Sequence, residues 1–111
     1  MEVNEKLIGK LQRLGFPMHH RGTWYIHDAV LLWEPGIYLT KEIYPQVAHI
    51  HGVKWTAVER AVRATMDYVW DHSRGFTTDV AELLGIARIA VRPPAAELVA
   101  ALGFWMMKNG G

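Results

Sequence analysis

The chain has 111 residues, half of them apolar and 21% charged, with a formal net charge of +1; this is the size and balance of one compact domain around one core. It has no cysteine, which excludes a disulfide framework and a thiolate metal site and fits a reducing, cytoplasmic setting. A charge so near zero excludes a uniformly basic coat for nucleic acid, so any contact with an acidic polymer has to come from a local patch.

The N-terminal stretch MEVNEKLIGKLQRLGF carries charges every few positions and lacks the apolar run of a signal peptide or membrane span, so the expectation is a protein neither secreted nor inserted. Leu7, Ile8, Leu11 and Leu14 recur at helical spacing and predict a first helix over about 2–14, stopped by Gly15 and Pro17. After a loop, Trp24, Ile26, Ala29, Val30, Leu32 and Trp33 are dense enough for a mostly buried helix over 23–33, which ends before Glu34-Pro35-Gly36. A third helix is expected over about 40–50; Pro45 is compatible with it only in the first turn or at a bend.

Residues 55–72 form the longest helical pattern, with Val58, Val62, Met66, Val69 and Trp70 on one stripe and Ser73, Arg74 and Gly75 ending it. Thr78 or Asp79 then caps a short helix that Gly85 closes, and Pro94 opens a last one through Phe104. Between them IARIAV alternates loosely, but no second strand is evident to pair with it, so it reads as a connection. In the tail, Phe104, Trp105, Met106 and Met107 exceed what one helix face can bury, so they either close the core or form an exposed partner surface. The expected fold class is all-α: a single domain, residues 1–111, of about six helices without repeats, containing a helix-turn-helix over about 43–72.

A helix-turn-helix needs a small residue where its helices meet, a turn residue able to take positive φ and an apolar anchor early in the second helix. Ala48, Gly52 and Val58 supply these at spacings of four and six, those of the form whose second helix enters the DNA major groove. With Val58, Val62 and Met66 inward, Thr56, Arg60, Arg63 and Asp67 share the opposite side. The planar guanidinium fork matches guanine O6 and N7, or a phosphate, which makes Arg60 the main base-reading candidate and Arg63 a contact to base or phosphate. Glu59 has three roles open to it: an i,i+4 partner of Arg63, the acid of a Thr56–Glu59 capping box, or an acceptor from a cytosine amino group. Trp55 either packs into the core, covers the start of the helix or lies against the sugar-phosphate backbone. Lys54, Thr56 and Lys41 are candidate phosphate or backbone contacts, with Arg21 and Arg74 as further ones.

LGFPMHHRGTWYIHDAV, then KEIYPQVA, then VERAVRATMDYVW, in that order, resemble the C-terminal effector domain of the sporulation initiation response regulator family. The resemblance covers nearly the whole chain, and its most specific piece is Val58-Glu59-Arg60-Ala61-Val62-Arg63, similar to the family's recognition-helix pattern V-E-R-A-I-R. It implies a six-helix domain that binds short DNA boxes, often as head-to-tail pairs, and contacts RNA polymerase sigma subunits. It also implies that Glu59, Arg60 and Arg63 are major-groove residues. Where the family usually has a further arginine this chain has Ala57, which removes one contact. The sequence begins at the effector domain, as expected either for a fragment of a longer regulator with a phosphoacceptor receiver or for a stand-alone relative that phosphorylation does not control directly. The differing identities in FTTDVAELLGIARIAV carry no polymerase-contact role to any single residue.

Six histidines raise a metal site, but His49 and His51 stand two apart and His19 and His20 adjacent, neither being the i,i+4 spacing that offers one ion two imidazoles. His19 reads instead as a hydrogen-bonding organiser of its loop, and His49 and His51 as solvated or near phosphates. No nucleophile–base pair or glycine-rich phosphate loop is present, so neither an enzyme nor a cofactor is expected. The main alternative to a DNA reader is a protein-interaction module of the same fold.

Overall fold

The structure, a computed structural model, describes residues 2–73, 76–86, 89 and 91–110. Among the described residues six α-helices follow one another: α1 (Glu5–Arg13), α2 (Arg21–Leu32), α3 (Tyr44–His51), α4 (Trp55–His72), α5 (Phe76–Leu84) and α6 (Ala95–Lys108), with one π-helical turn, Leu39–Ile43, ahead of α3. No strand occurs among the described residues, so the fold is all-α. Ile86, Ile89 and Val91 belong to no regular element, as expected of a connection; the rest of that stretch, and Arg74, lie outside the described residues.

The apolar density of residues 23–33 makes α2 the axis of the fold, packed most extensively against α4 and also against α6. Ile26, Ala29 and Val30 of α2 meet Val58, Val62, Met66 and Val69 of α4 and Leu98, Val99 and Leu102 of α6 in one continuous core. The α2–α4 crossing is close because Gly22 has no side chain: a Cβ there would lie 2.2 Å from Thr65 Oγ1 and 2.3 Å from the Ala61 carbonyl oxygen. Helix α1 starts at Glu5 because the Asn4 side chain accepts from the Leu7 N–H at 3.0 Å and so caps it.

Apart from shifts of a few residues at the ends of α1 and α2, three departures from the sequence reading have a cause in packing or backbone chemistry. Helix α5 begins at Phe76, not at Thr78 or Asp79, which lie inside it. The fully buried Phe76 ring is wedged edge-on between Phe16 and Trp70, 6.1 Å from each, and this packing fixes where the helix starts. Helix α6 runs past Phe104 to Lys108, because Met106 still reaches the core and Asn109 caps the end with its backbone and side-chain amides, both donating to the Trp105 carbonyl. The tail thus divides: Met106 closes the core and Trp105 is half-buried under Lys10, while Phe104 and Met107 are 55% and 66% exposed.

The third departure is the turn Leu39–Ile43. Pro45 is the second residue of α3, and a proline has no N–H for the carbonyl four residues back, here Lys41, and crowds it. The chain answers with a wider turn: Ile43 N–H donates to the Tyr38 carbonyl at 3.2 Å, five residues back. Among the described residues, no helix is long and apolar enough to cross a membrane.

Candidate nucleic-acid interface

Helix α3 ends because Gly52 takes the left-handed conformation, φ 65°. Its N–H donates to the His49 carbonyl at 3.3 Å and the Val53 N–H donates to Ala48 at 3.0 Å, which satisfies carbonyls the helix end would leave open. Three residues, Gly52, Val53 and Lys54, then redirect the chain into α4. The small Ala48, the left-handed Gly52 and the fully buried Val58 occupy the roles their spacing predicted.

A buried polar relay, which the sequence reading did not identify, fixes this turn to the core. The Asn4 backbone N–H donates to His27 Nε2 at 3.0 Å, so that nitrogen carries no proton, and the proton on Nδ1 is donated to Asp28 Oδ1 at 2.8 Å. The other carboxylate oxygen, Oδ2, accepts from His51 Nε2 at 2.5 Å. His27 and Asp28 are buried. His51 is the last residue of α3, so one carboxylate connects the start of α1, the middle of α2 and the residue before the turn. Burial opposes the charge on Asp28, but hydrogen bonds from His27 and His51 outweigh it and hold the carboxyl below its ordinary value of 3.8. His49 and His51 are both exposed, as the solvated reading has them, but His51 is at the same time tied through Nε2 to Asp28. The role given to His19 is corrected: His19 is exposed and lies edge-on to His20, and it is His20 Nδ1 that pairs with Thr65 Oγ1 of α4, at 3.2 Å.

On α4, Val58, Val62, Thr65, Met66 and Val69 face the core. Arg60 and Arg63 are exposed on the other side, and Arg60 makes no ion pair among the described residues. Arg63 Nη2 reaches Glu59 Oε1 at 3.4 Å, a long, solvent-exposed i,i+4 contact that a stronger acceptor displaces at little cost. Glu59 is half-buried above Tyr44; burial pushes the Tyr44 phenol above its ordinary range, the Glu59 carboxylate adds to this and Arg63 opposes it. Asp67, on the same outward stripe, is not free: its Oδ1 takes Arg92 Nε at 2.7 Å and ties the segment before α6 to α4.

The Thr56–Glu59 capping box does not form. Lys54 is the N-cap and Thr56 the second residue of the helix, because the end of α3 at Gly52 and the buried Val58 set where α4 begins. No side chain caps α4. Its first amides, at Trp55 and Thr56, therefore face outward with the positive end of the helix dipole. Trp55 is 44% exposed, so it is not a core residue. Lys54, Thr56 and Arg21 are exposed, as is Lys41 on the π-helical turn.

The arrangement, one helix held by its buried stripe and presenting arginines and an uncapped N-terminus, suits a polyanion with a groove. Residues 7–103 match the family described as sporulation initiation factor Spo0A C terminal, and the chain therefore belongs to this family of DNA-binding sporulation-regulator domains.

Proposed function

We propose that the domain reads DNA sequence, with the N-terminal half of α4 in the major groove, Arg60 and Arg63 on base edges and Glu59 beside them. Lys54, Thr56, Trp55 and Lys41 hold the sugar-phosphate backbone. What carries this reading is Arg60, exposed on the side of α4 opposite the buried valines and without an acidic partner among the described residues. The whole chain acts as one effector unit in the cytoplasm, where the DNA is. Head-to-tail pairing on DNA and contact with an RNA polymerase sigma subunit are the partner roles that go with it.

Replacing Arg60 with alanine is expected to cost about 1 to 3 kcal/mol on a cognate duplex and far less on random DNA. An equal loss on both would make Arg60 a phosphate contact. Lys54→Ala is expected to weaken all duplexes alike and to lower the slope of log K against log salt by about 1. Both are read by fluorescence anisotropy over a salt series.

A second reading has its own observation: Phe104 and Met107 are exposed on a face suited to a protein partner. Selection from a random duplex library at near-physiological salt separates the two. Enrichment of a short motif supports the DNA reader, and the absence of any enriched sequence supports the interaction module.

A further inference from the structure

Between the first turns of α2 and the turn that leads into α4 lies an open cavity of about 390 Å³, lined by Arg21, Trp24, Tyr25, His51 and Val53. The first three stand at helical spacing on one side of α2. Tyr25 is only 5% exposed, and its hydroxyl makes no hydrogen bond among the described residues. Every side-chain nitrogen or oxygen fully enclosed among those residues does have a partner, so the phenol oxygen is the part of this buried side chain that opens onto the cavity. A hydroxyl that opens onto such a cavity is left to water in the free protein and is available to donate to an acceptor from outside.

The other walls suit an anionic acceptor. Arg21 brings a guanidinium fork, the geometry that phosphate oxygens take up best. His51 is fixed in place, with Nε2 on Asp28 at 2.5 Å and its ring edge-on to Tyr25 at 4.9 Å between centroids. No carboxylate lines the cavity, and both oxygens of the nearby Asp28 are engaged by His27 and His51. The Trp24 indole N–H is spent on the Met18 carbonyl at 2.8 Å; what its ring offers the cavity is apolar surface, which suits a sugar.

We infer that this cavity takes a phosphodiester of the DNA backbone, at the edge of the groove that α4 occupies. The inference rests on the DNA-reading function proposed above. The source of the phosphate follows from the chain: Val53 is a wall of the cavity, and the next three residues, Lys54, Trp55 and Thr56, are exposed and begin α4. A strand bordering that helix runs past the cavity mouth. Tyr25 O–H and Arg21 donate to the phosphate oxygens, and Trp24 packs on the deoxyribose.

The test uses Tyr25→Phe and Arg21→Gln in the whole chain. Because the Tyr25 hydroxyl has no partner among the described residues, Tyr25→Phe is expected to melt with the parent, yet to bind a selected duplex and a random one each about tenfold more weakly. Its salt dependence stays that of the parent, since no charge is removed, whereas Arg21→Gln lowers the slope by about 1. If both variants bind every duplex as the parent does, the inference falls and the DNA-reading function stands. Should the parent bind no duplex while inorganic phosphate alone shifts the NMR signals of Arg21 and His51, the occupant is a free anion; the DNA assignment is then overturned together with the function it rests on.

Discussion

Replacing Asp28 with alanine is expected to destabilise the domain by about 3 to 5 kcal/mol, the loss usual when one member of a buried, hydrogen-bonded charged group is removed. The substitution strips two imidazoles of their acceptor at once: His27 Nδ1, which is buried, and His51 Nε2 at the end of α3. A urea titration followed by circular dichroism measures it, and a loss under about 1 kcal/mol would show that water replaces the carboxylate adequately. The same group sets a pH dependence. Since Asp28 is held below 3.8 in the folded state, the stabilisation it brings is complete above that pH. It is lost as the pH falls through the lower folded value. Asp28→Asn is expected to remove this part of the acid sensitivity, seen as a flatter fall of the urea midpoint between about pH 5 and pH 2. The effect reaches function because His51 precedes the turn that orients α4. Once the relay is broken, the end of α3 loses its polar tie to α2, and the turn that aims the helix bearing Arg60 is held less firmly.

Gly22→Ala is expected to cost about 3 kcal/mol, at the upper end of what overpacking usually costs. The added Cβ meets Thr65 Oγ1 at 2.2 Å and the Ala61 carbonyl oxygen at 2.3 Å. A side chain rotates away easily, but a carbonyl within α4 moves only if the helix does. Helices α2 and α4 would therefore separate along the most extensive contact of the fold. Gly9 is the internal control: it lies within α1 with nothing inside 4 Å of an added Cβ, and alanine there is expected to stabilise by up to about 1 kcal/mol through helix propensity. Thermal melts of both variants decide the matter. Equal behaviour at the two positions would mean that the α2–α4 distance adjusts freely.

The candidate interface was largely legible in the residue pattern, because the features that define it are local. The stripe of Val58, Val62, Met66 and Val69 places Arg60 and Arg63 on the opposite side with no knowledge of what the stripe packs against. Gly52 announced the turn because few other residues tolerate its φ of 65°. Thr56 and Glu59 misled for a related reason: the capping-box pattern is local too, but the start of α4 was set by the end of α3.

By itself, then, the chain order determined the all-helical class, the span of α4 and the outward placement of its arginines, since periodicity and breakers act over a few residues. Tertiary structure alone decided what depends on distant partners. His27 and Asp28 were hidden in a run that reads as an apolar helix, and His51, 23 residues after Asp28, became its partner only when α3 folded back on α2. Asp67 was taken up by Arg92 and Phe76 by Phe16 and Trp70 in the same way. Such pairings are set by which surfaces meet, and a short sequence window holds only one of the two sides.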